Sequence, residues 1–472
     1  VGQRAGELHR HLGVVQATAL NVAMIVGSGV FITIPLMNKE LPGGYALLGW
    51  LLAGALILLD GLVWGELGAA LPGSGGTYHY LLVGFGERGW GRLAAFLFIW
   101  QFLLSGPLEL ASGLIAMDAF SQSLAPGWAR WDAAHRLRWE LGGGAAVTLG
   151  PARLAAAAVG GLLVVLVHNR VTHLGRLTLA FALGVLALLG WVIVAGMLRF
   201  DPAKAFDFPP LGQTGVGFNR ALGAAVRLAL FSYLGYYTIC YMGDEVRDPG
   251  RTIPRAVLLS AALVAGLFVL AHLAFTGTVS WRDMPTDPQQ LDAYSLPAAF
   301  VRELHGDGAA VTLVTLCLVG SCFASAFAGL VGYSRVPYGA ARAGHFFAAA
   351  GAVHPRHGIP YVSLWLVGGL MLFWTFFDLQ TVIEALIVTR VLQQFVAQTV
   401  AVALLRRTRP GLPRPFRIWF YPLPCGLALF GWLYVFGTAP ALLAGAAVAT
   451  LAAGAGVFLL WSRWRRAWPF AG

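Results

Sequence analysis

Runs of mostly apolar residues, each closed by a short polar stretch, follow one another along almost the whole chain. A hydrocarbon core about 30 Å thick needs roughly 20 such residues per helix, so the pattern predicts about twelve membrane spans. They fall near Gly13 to Leu36, Tyr45 to Leu71, Trp90 to Phe120, Ala152 to Val167, Leu177 to Leu198, Phe218 to Met242, Pro254 to Val279, Ala309 to Tyr333, Tyr361 to Phe377, Thr381 to Leu405, Phe420 to Phe436 and Ala439 to Trp461. The longest polar stretches, Ser121 to Pro151 and Ser280 to Gly308, are loop-sized. The expected fold class is an all-α membrane protein forming one transmembrane domain, residues 1–472, and any chemistry must lie within the helix bundle.

Composition agrees with this pattern. The chain has 472 residues, 58% hydrophobic and 11% charged, against roughly 25% charged in soluble proteins. The net charge of +11 raises a nucleic-acid partner, but the arginines are spread along inter-helix loops and form no patch, so none is expected. Their placement reports topology instead. With the N-terminus inside, Arg247, Arg251 and Arg255, then Arg335, Arg342 and Arg356, then Arg406, Arg407, Arg409, Arg414 and Arg417, and the tail Arg463-Trp464-Arg465-Arg466, all lie inside. The acidic loop with Asp283, Asp287, Asp292, Glu303 and Asp307 then lies outside, and both termini are cytoplasmic. The loop with Arg130, Arg136 and Arg138 runs against the trend and is outweighed by the total. The polar start, ending Leu8-His9-Arg10-His11, precedes an apolar segment too long for a signal-peptide core, which is expected to remain as the first span. Cys240, Cys317, Cys322 and Cys425 fall in apolar segments without metal-ligand spacing and read as buried thiols; no metal and no cofactor are expected. Abundant Gly, Ala and Arg with only Lys39 and Lys204 as lysines suggest a GC-rich bacterial source, hence an inner membrane.

Two spans carry irregularities five spans apart: Gly27-Ser28-Gly29 in the first and Ser232-Tyr233-Leu234-Gly235-Tyr236 in the sixth. Glycines in membrane helices also serve close packing, which explains either segment alone. Their matching positions instead suit a transporter of inverted repeats, in which broken helices line a midplane site.

Four stretches together resemble the amino acid, polyamine and organocation superfamily of permeases. They are Ile25-Val26-Gly27-Ser28-Gly29-Val30-Phe31; Gly65-Glu66-Leu67-Gly68-Ala69-Ala70-Leu71-Pro72-Gly73-Ser74-Gly75-Gly76; Phe231 to Tyr236 followed by Asp244-Glu245-Val246-Arg247-Asp248-Pro249-Gly250-Arg251-Thr252-Ile253-Pro254; and Arg406-Arg407-Thr408-Arg409-Pro410-Gly411-Leu412-Pro413-Arg414-Pro415-Phe416. The resemblance implies a five-plus-five inverted-repeat core, residues 13–198 and 218–405, with two additional helices in 420–461, and alternating access around a central amino-acid site. An amino acid must shed the hydration of a carboxylate and an ammonium to enter such a site. N–H groups at Ser28 and Gly29, where the first helix restarts, suit the carboxylate. Carbonyls freed at Ile25, Phe231, Ser232 and Leu234 suit the ammonium. By resemblance Phe231 is also placed as an aromatic lid; its alternative is a packing contact.

Ionisable residues within spans need a partner or a cavity. Glu109, Arg227 and Arg390 fall at similar depths in the outer half, so Glu109 is expected to pair with Arg390 or Arg227 near an outer gate or to accept a proton; a purely structural pair is the alternative. Asp60 and Glu384 receive no role. Glu66 and Asp244-Glu245 suit helix ends and contacts to Arg247 or Arg251. His168 and His272 read as isolated packing histidines. Proton-coupled members of the superfamily carry a lysine in the fifth span, which here holds no ionisable residue, and Ser325 followed by Ala326, with Ser321 a turn earlier, gives a weak sodium signal. Exchange and proton coupling both stay open. Selectivity is expected from Gln101, Glu109, Ser321, Ser325 and Tyr233. A Glu109 neutralised by arginine suits a neutral amino acid; an unpaired one suits a cationic amino acid or polyamine. A membrane enzyme is not expected, because no acid–base pair occurs at helical spacing. A receptor that binds amino acids without transport shares every feature above.

Overall fold

The computed structural model describes residues 10–73, 75–142, 145–169, 174–210, 217–291 and 293–470. Ser74, Asp292, Leu8 and His9 lie outside them. In chain order the helices and strands are α1 (Val14–Ile25), α2 (Gly29–Glu40), α3 (Ala46–Ala70), α4 (Thr77–Gly84), α5 (Trp90–Gln122), α6 (Pro126–His135), β1 (Leu137–Gly142), β2 (Ala145–Leu149), α7 (Pro151–His168), α8 (Leu174–Leu198), α9 (Pro202–Ala205), α10 (Phe218–Tyr233), α11 (Pro249–Thr276), α12 (Pro288–Leu291), α13 (Leu296–His305), α14 (Ala309–Tyr333), α15 (Arg335–Arg342), α16 (Tyr361–Trp374), α17 (Leu379–Arg390), α18 (Ala397–Thr408), α19 (Leu423–Gly437) and α20 (Ala441–Trp464). Among the described residues eight helices are long and apolar enough to cross a membrane, and α1 with α2, bent by 49°, makes a ninth; α16 and α19 are shorter apolar helices. A π-helical segment, Val391–Val396, joins α17 to α18.

The helices gather into two groups. In one, α3 packs against α10 and α11, with α1 on α11 and α2 on α10; in the other, α5 packs against α7, α14 and α16. The α17–α18 span lies between them, meeting both α5 and α10. At the face expected inside, residues 11–12 pair with 245–247 through His11 N–H to Glu245 O at 2.9 Å and Arg247 N–H to Leu12 O at 2.9 Å.

Three expectations are corrected. The stretch 121–151 is no plain loop: β1 and β2 form an antiparallel hairpin that docks on the α16–α17 turn, Thr148 N–H reaching Phe376 O at 2.7 Å and Ala146 N–H reaching the Asp378 carboxylate at 3.0 Å. Within that stretch Arg136 pairs with Asp132 and Arg138 with Glu140, so this basic loop is charge-compensated locally. His168 is not isolated, because its ring stands 5.1 Å from His354 and 5.4 Å from His357. Burial of His354 and its neighbours His357, His168 and Arg356 holds that imidazole below its usual range. His272, by contrast, is a buried packing residue that accepts a bond from the Trp50 indole at 3.1 Å.

Candidate functional site

The first helix breaks because its chain turns out of helical geometry at Val26, which is extended (φ −80°, ψ 91°). Gly27 N–H then closes a tight turn on Ile25 O at 3.0 Å. At the restart, the N–H groups of Ser28, Gly29 and Val30 donate to no backbone carbonyl among the described residues, leaving the positive end of α2 with free donors. The sixth span breaks in the same region. Leu234 is extended, Gly235 takes φ +107°, and only short 3₁₀ turns follow, at Thr238–Tyr241 and Gly243–Glu245. The expected helical restart is therefore replaced by irregular backbone. Its polar groups are taken by Asn21 of α1, whose amide donates to Tyr236 O at 2.6 Å and to Ser260 Oγ at 3.2 Å and accepts from Ile239 N–H at 3.0 Å.

The two breaks touch. A Cβ on Gly29 would meet Ser232 Cα at 3.4 Å and the Phe231 ring at 3.5 Å, and one on Gly235 would meet the Met24 carbonyl at 3.1 Å. Thr33 and Ser232 hydroxyls are 2.9 Å apart. The site residues expected from sequence, Ile25, Ser28, Gly29, Phe231, Ser232 and Leu234, thus lie at or beside the two helix breaks, Ile25 ending α1, Gly29 opening α2, and Phe231 and Ser232 in the last turn of α10. Of their carbonyls, Ile25 O takes Gly27 N–H and Phe231 O takes Leu234 N–H at 3.2 Å, while those of Ser232 and Leu234 receive no backbone donor among the described residues. Phe231 is half-buried with its ring edge over Gly29.

The charged residues sort into separate pairs. Glu109 of α5 joins Arg390 of α17 at 2.6 Å, and the same arginine reaches Tyr237 Oη at 3.4 Å, with Tyr333 beside the pair. The Glu109 side chain keeps 27% exposure, against 3% for Arg390. Arg227 is not its partner: it binds Glu384 at 3.1 Å. Glu384 also accepts from Gln380, which bonds Glu40 and Lys39 at the C-terminal end of α2. This group lines a cavity of about 630 Å³. Asp60 is buried against Tyr236 and Trp432. Glu66 does not contact Arg247 or Arg251: Arg406 and Ile418 N–H bind it, with Arg414 at 3.7 Å. Among the selectivity candidates, Gln101 bonds Ser105, Tyr233 is packed against Trp50 and Phe268, Ser321 is buried and Ser325 is exposed. The four cysteines are free, and no metal-binding cluster occurs among the described residues.

Sequence reasoning missed Asn21, Thr33, Tyr236 and Tyr237. Asn21 carried a usable signal, a lone amide in an apolar span; Tyr236 was part of the irregular stretch but received no role, and Tyr237 carried no signal, since aromatic residues are common in such segments.

The family model described as amino acid permease matches residues 12–460. Cationic amino acid transporter 4 of Mus musculus is 26% identical over 85% of this chain and 61% of its own length, so the chain spans about three fifths of that relative. The methylthioribose transporter of Bacillus subtilis is 23% identical over 98% of this chain and 95% of its own length. The branched-chain amino acid permease of the same organism is 24% identical over 91% and 88%.

Proposed function

Because the chain belongs to the amino acid permease family, we propose that it is a secondary transporter that carries neutral amino acids across the membrane by alternating access. The observation that carries the reading is the meeting of the two helix breaks. Free N–H groups at Ser28 and Gly29 mark one break and the carbonyls of Ser232 and Leu234, without backbone donors among the described residues, mark the other, with Gly29 packed beside Ser232. The first set recognises a carboxylate and the second an ammonium, the two groups that every amino acid presents. Phe231 over Gly29 suits a lid on the bound substrate.

Twelve spans, with 13–198 and 218–405 as inverted repeats and the last two helices outside the core, fit this cycle, in which the α1–α2–α3–α10–α11 group rocks against the α5–α7–α14–α16 group. Loop arginines support cytoplasmic termini, and the composition supports a bacterial inner membrane. Lipid and a small solute are the partners.

Neutral selectivity follows from charge balance. Arg390 compensates the partly exposed Glu109 carboxylate, so Glu109 offers no unpaired anion to a cationic side chain. A second reading, a cationic substrate, rests on the 27% exposure of Glu109, which lets a substrate ammonium compete with Arg390. Uptake of a panel of labelled amino acids, a polyamine and a thiosugar into liposomes preloaded with unlabelled solute separates these readings. Binding without flux would instead identify a receptor.

A further inference from the structure

The pair Glu109–Arg390 leaves the energy source of transport open, and a second buried carboxyl group addresses it. Asp60 has 0% exposure. It lies ten residues before Ala70, the inner end of α3, or about 15 Å at ~1.5 Å per residue, near the centre of a hydrocarbon layer about 30 Å thick. Both of its oxygens meet neutral donors: the Tyr236 hydroxyl on Oδ2 and the Trp432 indole N–H on Oδ1 at 3.2 Å.

No ion pair among the described residues includes Asp60. Of the arginines on the neighbouring helices, those that are not exposed are committed to other carboxylates, Arg227 to Glu384, Arg390 to Glu109 and Arg406 to Glu66, while Arg220, Arg251, Arg255 and Arg407 are exposed. The other ionisable groups facing this part of the helix, Tyr237, Cys240 and Cys425, are phenol and thiols, and His272 is bonded to Trp50 farther along. One turn beyond Asp60, on the same face of α3, the buried indole N–H of Trp64 makes no well-formed hydrogen bond but lies beside the Asp60 carboxyl and the Tyr236 hydroxyl, a third neutral donor in reach. A carboxylate held at this depth without a cation is costly, and a proton removes the charge.

We propose that Asp60 is the proton-binding residue of this transporter, so that one proton crosses with each amino acid. The inference rests on the transporter reading above. Tyr236 supplies the link to substrate: it follows Ser232 and Leu234 on the same irregular segment, and Asn21 holds its carbonyl at 2.6 Å. Movement of that segment on substrate binding moves the hydroxyl that caps Asp60. Trp432 belongs to α19, outside the rocking group, and stacks on Phe395 of the π segment at 3.9 Å. Rocking of α3 therefore strips the second donor, lets water reach the carboxyl and releases the proton on the opposite side. A zwitterion plus a proton carries one positive charge per cycle, so transport is electrogenic.

The test uses the full chain in liposomes. With labelled alanine, a one-unit inward pH gradient is expected to drive up to about tenfold accumulation into empty vesicles of the wild type. Asp60→Asn is expected to lose that accumulation while exchanging internal for external alanine. Accumulation by Asp60→Asn equal to the wild type overturns the proposal. So does a wild type that exchanges alanine but ignores the gradient, an outcome that leaves the transporter reading intact. Absence of exchange with every solute removes the transporter reading and this proposal with it. Should Asp60→Asn not fold, Trp432→Phe keeps the carboxyl and removes one donor: a shifted pH midpoint of gradient-driven uptake supports the proposal, and an unchanged midpoint overturns it.

Discussion

Glu109 and Arg390 approach to 2.6 Å across the α5–α17 interface, and Tyr237 neighbours both this pair and Asp60. Removing one partner of such a pair leaves the other charge uncompensated. Arg390→Met is expected to lose about 3 kcal/mol of stability, the low end for a buried pair because Glu109 is partly exposed. A denaturation series in mild detergent measures it. The same variant leaves an unpaired carboxylate at the site, so uptake of lysine relative to leucine is expected to rise. No change in that ratio would separate the pair from selectivity.

Asn21 closes the irregular sixth span by bonding one carbonyl and one N–H of it at once. Asn21→Leu is expected to cost about 2–4 kcal/mol, the desolvation of two buried backbone groups left unpaired. Hydrogen exchange of residues 236–241 is expected to quicken in the variant, and protection equal to wild type would contradict the assignment.

The two glycines at the breaks predict different outcomes. Gly235 has φ +107° and no room for a Cβ beside the Met24 carbonyl, so Gly235→Ala is expected to destabilise the fold by about 1–3 kcal/mol. At Gly29 a Cβ would sit at ordinary contact distance from Ser232. Gly29→Ala is therefore expected to fold normally and bind substrate about tenfold more weakly, a loss of about 1.4 kcal/mol. Equal affinity would remove Gly29 from the site.

Outside the membrane, hydrogen bonds from Arg282 hold the Asp207 carboxyl below the usual carboxylate range, against partial desolvation, and Trp281 adds a third donor. The native state then binds this proton more weakly than the unfolded chain, so the contribution is present above the ordinary carboxylate pKa and is lost as pH falls through the lower native value. Asp207→Asn is expected to reduce stability by less than about 1 kcal/mol at neutral pH, the pair being exposed. Melting curves of the variant and wild type are expected to converge in acid.

The sequence was most legible where one residue decides the backbone. Gly27-Ser28-Gly29 and Gly235 marked both breaks because they stand at matching positions five spans apart, whereas glycine alone also serves close packing in unbroken helices. Depth along a helix narrowed the partners of Glu109 to two arginines, but choosing Arg390 required the azimuth of each helix, which hydropathy does not encode. Glu66 went to the wrong arginines for the same reason: Arg406 is distant in sequence and adjacent only after α18 packs on α3. The hairpin of β1 and β2 had a signal that length alone obscured, since Leu137-Arg138-Trp139-Glu140-Leu141 alternates apolar and charged positions before a run of glycines. His168 looked isolated because its two neighbours arrive from the loop before α16.

The most direct test of the central claim is counterflow in reconstituted liposomes, with labelled alanine, leucine and lysine outside and unlabelled amino acid inside. The account predicts saturable uptake of alanine and leucine that exceeds lysine and weakens in Gly29→Ala. Uptake of lysine alone would contradict neutral selectivity, and no exchange of any amino acid by folded protein would contradict transport itself.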